Sequence, residues 1–146
     1  MTTSESSRAD DLMLVVHAVP VAVSGARRRL RRWLDVLGWP EAEADDIVLA
    51  VNEAVANVVD HAYPPDRPGS ATMHAWLSTA ADEARRRVVV TVTDRGRWAA
   101  YHPSAVPARL RGRGLAMMQA CMAEMHVQPS AAGTTVILAS RPVPVA

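Results

Sequence analysis

Apolar and polar positions along this chain follow two periods, and the changes of period mark its elements. Residues 12–19 form a Val-rich apolar run between Asp11 and Pro20 and predict a first strand. Over residues 21–37, Val23, Leu30, Trp33, Leu34 and Leu37 recur at helical spacing, with Ser24 a candidate cap and Gly38 a stop. Pro40 and Glu41 open a second helix, whose Glu41, Glu43, Asp45 and Asp46 suit the positive end of a helix dipole. It runs to about His61 and is closed by Tyr63, Pro64 and Pro65. Strands are predicted over 71–78 and over the densely β-branched 87–93, which ends at Asp94. Residues 95–113 have no clean period and contain Pro103 and Pro107; loops of this length usually serve a function. A third helix is predicted from Gly114 to about Met122, then a short strand near 125–128 and a last strand over 134–139.

The order β, α, α, β, β, loop, α, β, β predicts an α/β (α+β) two-layer sandwich. Its sheet should be mixed, mostly antiparallel, and covered on one face by helices. A single domain is expected over 11–140, with a polar flexible tail over 1–10 and a short one over 141–146. At 146 residues the chain can bury about 70% of its unfolded surface.

Composition narrows the class without naming a function. Hydrophobic residues make up 49% and charged residues 21%, and the net charge of +1 gives no global pull toward nucleic acid or membrane. Every basic residue is Arg, and Arg suits bidentate contacts with phosphate and carboxylate. One cysteine, Cys121, allows no intrachain disulfide and fits a reducing compartment. No apolar h-region opens the chain, and no apolar run nears the roughly 20 residues a membrane helix needs, so a cytoplasmic protein is expected. No His/Cys cluster has the spacing of a zinc site.

Three constellations carry candidate chemistry. Glu53, Asn57 and His61 are spaced by four and share one face of the second helix, opposite Val51, Val55, Val58 and Ala62. Such a face can simply be solvated. Alternatively, a carboxylate there can take a hydroxyl proton, and an amide oxygen one turn away can ligate Mg²⁺. Asp94-Arg95-Gly96-Arg97-Trp98 follows a strong strand; it is either a turn or an acceptor for a base amino group with Gly96 admitting a flat ring. Arg111-Gly112-Arg113-Gly114 precedes the third predicted helix, where free N–H groups make an anion site, and Gly133-Thr134-Thr135 opens the last strand. Each signal alone is weak, and their joint order is specific.

That order resembles the GHKL ATPase superfamily, with EAVANVVDHAY (53–63) similar to its N box, DRGRW (94–98) and RGRGLAMM (111–118) to its glycine boxes, and GTT (133–135) to its last motif. The chain is most similar to the serine-kinase anti-sigma factors, and the likeness covers about residues 12–140. The resemblance implies the Bergerat ATP-binding fold. It implies Glu53 as general base and Asn57 as ligand of a Mg²⁺ that bridges the phosphates. Asp94 would meet the adenine amino group, with Gly96 under the ring and Thr135 supporting the same pocket. Arg111, Gly112, Arg113, Gly114 and Leu115 would sit at the phosphates, at the end of an ATP lid over about 99–113. Arg109, Arg111 and Arg113 compete for the place beside the transferred phosphate. Trp98 stands where many relatives have a second glycine, and would wall the pocket. His61 is expected to be structural.

By the same resemblance the chain would phosphorylate an anti-anti-sigma (STAS-type) partner and sequester a sigma factor, with homodimerisation expected. The alternative is an ATP-gated protein-binding module without turnover. The basic run Arg27 to Arg32 beside Trp33 suggests an acidic protein partner more than nucleic acid. Met117, Met118, Met122 and Met125 are expected to fill gaps in the core, with Cys121 buried among them.

Overall fold

The computed structural model describes residues 11–64, 66–79, 84–97 and 108–144, and side chains within these except those of 108–114. The chain folds as β1 (Leu12–His17), α1 (Pro20–Val36), α2 (Glu41–Asn57), a π-helical turn (Val58–Ala62), β2 (Ser70–Thr79), β3 (Arg85–Asp94), α3 (Ala108–Cys121), β4 (Glu124–Ser130), β5 (Gly133–Ala139) and β6 (Val143–Pro144). The strands form one sheet in the order β1-β2-β3-β5-β4, with β6 paired to the start of β3. All of these pairs are antiparallel, so the expected mixed character is absent among the described residues. Two of the pairs, β2 with β3 and β4 with β5, join strands with no helix between them, and such neighbours pair antiparallel because a parallel pair needs a long crossover.

The helices cover one face of the sheet. α1 packs on β1, α2 lies between α1 and α3 and reaches β3 and β5, and α3 reaches β4. Strand alternation sends Met73 and Ala75 of β2, Val88, Val90 and Val92 of β3, and Val136 and Leu138 of β5 toward the helices. Leu30 and Leu34 of α1 and Ile47, Val51, Ala54 and Val55 of α2 meet them, so one apolar layer separates helices from sheet. Met118 and Met122 belong to this core as expected, whereas Met117 is exposed and Cys121 is half-buried.

Local chemistry accounts for the helix ends. Pro20 begins α1, where its missing N–H costs nothing and its fixed φ is already helical. Ser24 therefore lies inside the helix and does not cap it; its hydroxyl donates to the Val21 carbonyl at 3.4 Å. At the other end Gly38 takes a φ of 70°. The Gly38 N–H donates to Asp35 O and the Trp39 N–H to Leu34 O, each at 3.0 Å, which is a Schellman closure. α2 begins with Glu41 and Glu43 in its first turn, and its last coil widens into the π turn ending at Ala62. α3 begins at Ala108, earlier than the predicted Gly114. Ala, Arg and Leu are strong helix formers, and here they carry the coil through Gly112 and Gly114 although glycine costs about 1 kcal/mol per position.

Candidate functional site

On α2, Asp46, Ala50, Glu53 and Asn57 recur at helical spacing along one flank. The Arg141 guanidinium donates to Asp46 Oδ2 at 3.4 Å and to the last carbonyls of α3, Ala120 at 2.8 Å and Cys121 at 3.3 Å. This flank therefore turns toward α3. From that anchor α3 runs back along α2, which brings its first turns toward the Glu53–Asn57 end. The opposite flank faces α1: Arg31 pairs with Asp45, and Arg27 donates to Asn52 Oδ1 at 3.4 Å. Glu53 and Asn57 are both half-buried, as is His61 in the π turn.

The π turn leads directly to Asp94. The Arg97 N–H donates to the Ala62 carbonyl at 2.9 Å. A side chain at position 96 would overlap that carbonyl, so only glycine lets the two backbones meet. Asp94 is buried at 3% exposure at the end of β3, and its Oδ1 accepts the Gly96 N–H at 2.9 Å. That bond holds the carboxyl in a fixed orientation. Gly133, with a φ of 145°, closes over the other side, where a Cβ would overlap the Asp94 carbonyl. Tyr63 ties the region together: its hydroxyl donates to Ser70 O at 2.6 Å and accepts the Arg95 N–H at 2.9 Å.

Cross-strand register decides which threonine stands beside Asp94. Ala71 and Thr134 pair with Asp94 on its two sides, and all three are buried on the helix-facing side of the sheet. Thr135 pairs with Thr93, their hydroxyls 3.3 Å apart, on the opposite and more open face. The expectation that Thr135 supports the Asp94 pocket is thus corrected to Thr134, because adjacent strand residues point to opposite faces. The signal lay in the sequence: Val136 and Leu138 share the parity of Thr134. Tyr63 was read only as a helix closer, and nothing in its sequence context announced the two bonds of its hydroxyl.

The second glycine box is placed differently from the expectation. Arg111, Gly112, Arg113 and Gly114 lie within the first turns of α3 and not before it, so the N–H groups of Gly112 and Gly114 fall inside the helical ladder. Leu115 follows on the same helix and is exposed. The side chains of Arg109, Arg111 and Arg113, Trp98, and residues 99–107 of the lid expected over about 99–113 lie outside the described residues.

Three small or polar side chains meet at this end of the sheet. Asp94 offers an oriented carboxyl flanked by the small Ala71 and by a hydroxyl on Thr134, a donor–acceptor pair suited to the edge of a planar base. Among the described residues no three His, Cys, Asp or Glu side chains gather to hold a metal. Asn57 is the candidate protein ligand for a Mg²⁺ here, whose remaining ligands would be phosphate oxygens and waters. The same residues reveal no helix long and apolar enough to cross a membrane.

Comparison with known proteins agrees with this geometry. The model of the histidine kinase-like ATPase domain family matches residues 16–140. The serine-protein kinase RsbW of Bacillus subtilis (strain 168) is 29% identical over 144 residues, spanning 90% of this chain and 86% of that protein. The crystal structure of the RsbU and RsbW domains of Rv1364c from Mycobacterium tuberculosis superposes with a TM-score of 0.68 at 30% identity, covering 92% of this chain and 33% of that one. A chain of the SiaB–SiaC complex from Pseudomonas aeruginosa shares the fold, with a TM-score of 0.65 at 16% identity and 94% of both chains covered. With its family model matched over residues 16–140, the chain belongs to the histidine kinase-like ATPase domain family.

Proposed function

We propose that this protein is an ATP-dependent protein serine/threonine kinase of the anti-sigma type, acting through one domain over residues 11–140. The observation that carries the reading is the alignment of the Glu53–Asn57 flank of α2 with the first turns of α3, at the same end of the sheet as Asp94 and Thr134. A nucleotide with its base at Asp94 and Thr134 then has its phosphates toward the Glu53–Asn57 end of α2 and the first turns of α3. Asp94 accepts from the base amino group and Thr134 steadies the same edge. Glu53 takes the proton of an incoming serine hydroxyl as its oxygen bonds to the γ-phosphorus and the bond to ADP breaks. Asn57 would hold Mg²⁺, which supplies neutralisation of the phosphate charge when bound. Arg109, Arg111 and Arg113 are the candidates to steady the transferred group.

The similarity to the serine-protein kinase RsbW supports a protein substrate, and by that likeness an anti-anti-sigma (STAS-type) protein with a sigma factor as the alternative partner. Phosphorylation adds about −1.5 to −2 charges to such a partner and would release it. A homodimer and a cytoplasmic location belong to the same reading.

A second reading, an ATP-gated binding module without turnover, is favoured by one feature: the glycines of the second box are coiled into α3, where their N–H groups are engaged. A single assay separates the two. Purified protein with γ-labelled ATP, Mg²⁺ and a lysate of the source organism should label one small protein, and Glu53→Ala should bind nucleotide but transfer nothing. Tight ATP binding without transfer by the wild type, with the small partner present, selects the binding module. Full transfer by Glu53→Ala removes that residue from the mechanism.

A further inference from the structure

An open cleft of about 420 Å³ runs between α1 and α2, away from the Asp94 end, lined by Arg27, Arg28, Arg31, Arg32, Asp35 and Val48. Its cations differ in their engagement. Arg31 is paired with Asp45 and Arg27 is bonded to Asn52, so these two are tied to α2. Arg28 and Arg32 are exposed, and among the described residues neither makes an ion pair or hydrogen bond. They stand one turn apart on the same face, a spacing at which like charges destabilise a helix. The pairs with Asp45 and Asn52 account for Arg31 and Arg27, whereas Arg28 and Arg32 share the cleft with a single lining carboxylate, Asp35. The floor is apolar, because Val48 lies beneath the arginines at 6% exposure.

We propose that this cleft is a docking site for an acidic segment of a protein partner, whose carboxylates bridge Arg28 and Arg32 while a neighbouring apolar side chain rests on Val48. Charge complementarity selects the occupant. The guanidinium fork matches a carboxylate bidentately, and arginine is enriched at protein interfaces. A nucleic-acid duplex is a poor match, since it presents a negative charge about every 1.7 Å along its axis. Laid over α1 it would also meet the acidic start of α2, with Glu41, Glu43, Asp45 and Asp46. A short peptide can place its charges on the arginines and avoid that edge. The cleft lies on the flank of α2 opposite Glu53 and Asn57, so the proposal needs no assignment in the nucleotide site.

The test uses the intact protein and a fluorescein-labelled synthetic peptide of Glu and Leu residues, followed by fluorescence anisotropy at low salt. The peptide should bind. Arg28→Glu and Arg32→Glu should each weaken binding by about tenfold or more, the scale of one lost charge-assisted contact. Arg29→Glu, on the same helix but outside the cleft, should change it little, and a peptide with Gln in place of Glu should not bind. Circular dichroism and ATP affinity, expected to be unchanged, control for folding and for the nucleotide site. No binding of the Glu peptide overturns the proposal, as does equal loss with Arg29→Glu or equal binding of the Gln peptide. Tighter binding of duplex DNA, lost in the Arg28 and Arg32 variants, replaces it with a nucleic-acid site.

Discussion

At the scale of single residues, the Asp94 region rests on close backbone approaches that side chains would prevent. Gly96→Ala forces a methyl into the Ala62 carbonyl, so either the end of the π turn or the Asp94 loop must shift. Overpacking of this kind costs about 1–3 kcal/mol. Thermal melts should show that loss, and nucleotide affinity should fall with it; an unchanged melting point would mean that the loop has room to move. The two threonines separate by face. Thr134→Val should weaken nucleotide binding by about tenfold, the scale of one buried hydrogen bond, whereas Thr135→Val should leave it near wild type. The reverse order in a titration calorimeter would place the base on the open face of the sheet. Gly38→Ala should destabilise the fold by about 1–2 kcal/mol, because the residue closes α1 at positive φ; urea midpoints would read it directly.

At the scale of elements, α3 is where sequence and structure part. Two glycines one residue apart read as the end of a loop, yet the helix passes through them. Their intrinsic cost of about 1 kcal/mol each is then carried by the elements on either side, and it makes the first turns of α3 the cheapest part of that helix to unwind. Combining Gly112→Ala and Gly114→Ala should raise stability by up to about 2 kcal/mol in denaturant titrations. The same variant should bind nucleotide more weakly if binding uncoils these turns to free their N–H groups. Unchanged nucleotide affinity would show that the helix stays wound in the bound state. The far end of α3 is fixed by Arg141, which reaches its last carbonyls and Asp46 of α2. Burial pushes the Cys121 thiol above its ordinary pKa; Asp46 adds to the rise and Arg141 offsets part of it. A raised folded-state pKa means that the stability from this thiol is full below the unfolded value and is lost as pH rises through the folded one, on the alkaline side. Alkylation of Cys121 in the native protein should be slow at neutral pH and accelerate only in that alkaline range.

At the scale of the whole molecule, an antiparallel sheet with helices on one face gives one central helix two flanks that face different neighbours. α2 presents Glu53 and Asn57 toward α3, and Val48, Asn52 and Asp45 toward α1. The proposed nucleotide site and the proposed docking cleft therefore share one element without sharing a surface. Cavity formation in the common core should disturb both. Leu34→Ala, at a position with no exposure, is expected to cost about 2–5 kcal/mol and to lower nucleotide affinity and acidic-peptide binding together, in parallel with the fraction unfolded.

The sequence by itself determined the order of the three helices and first five strands, the apolar face of α2, the stop at Gly38 and the grouping of Glu53, Asn57, Asp94 and the glycine boxes into one family pattern, whereas β6 and the π turn came from the structure. Periodicity and turn chemistry are local, and they show directly in residue order. Only the tertiary structure decided that Thr134 and not Thr135 accompanies Asp94, because that depends on the register between β3 and β5. It also decided that Gly96 meets Ala62 and that the Tyr63 hydroxyl joins two chain segments, since both are contacts across separate loops. The start of α3 at Ala108 lay beyond local reading for a related reason. Glycine's preference against helix is weak, and packing of α3 against α2 outweighs it.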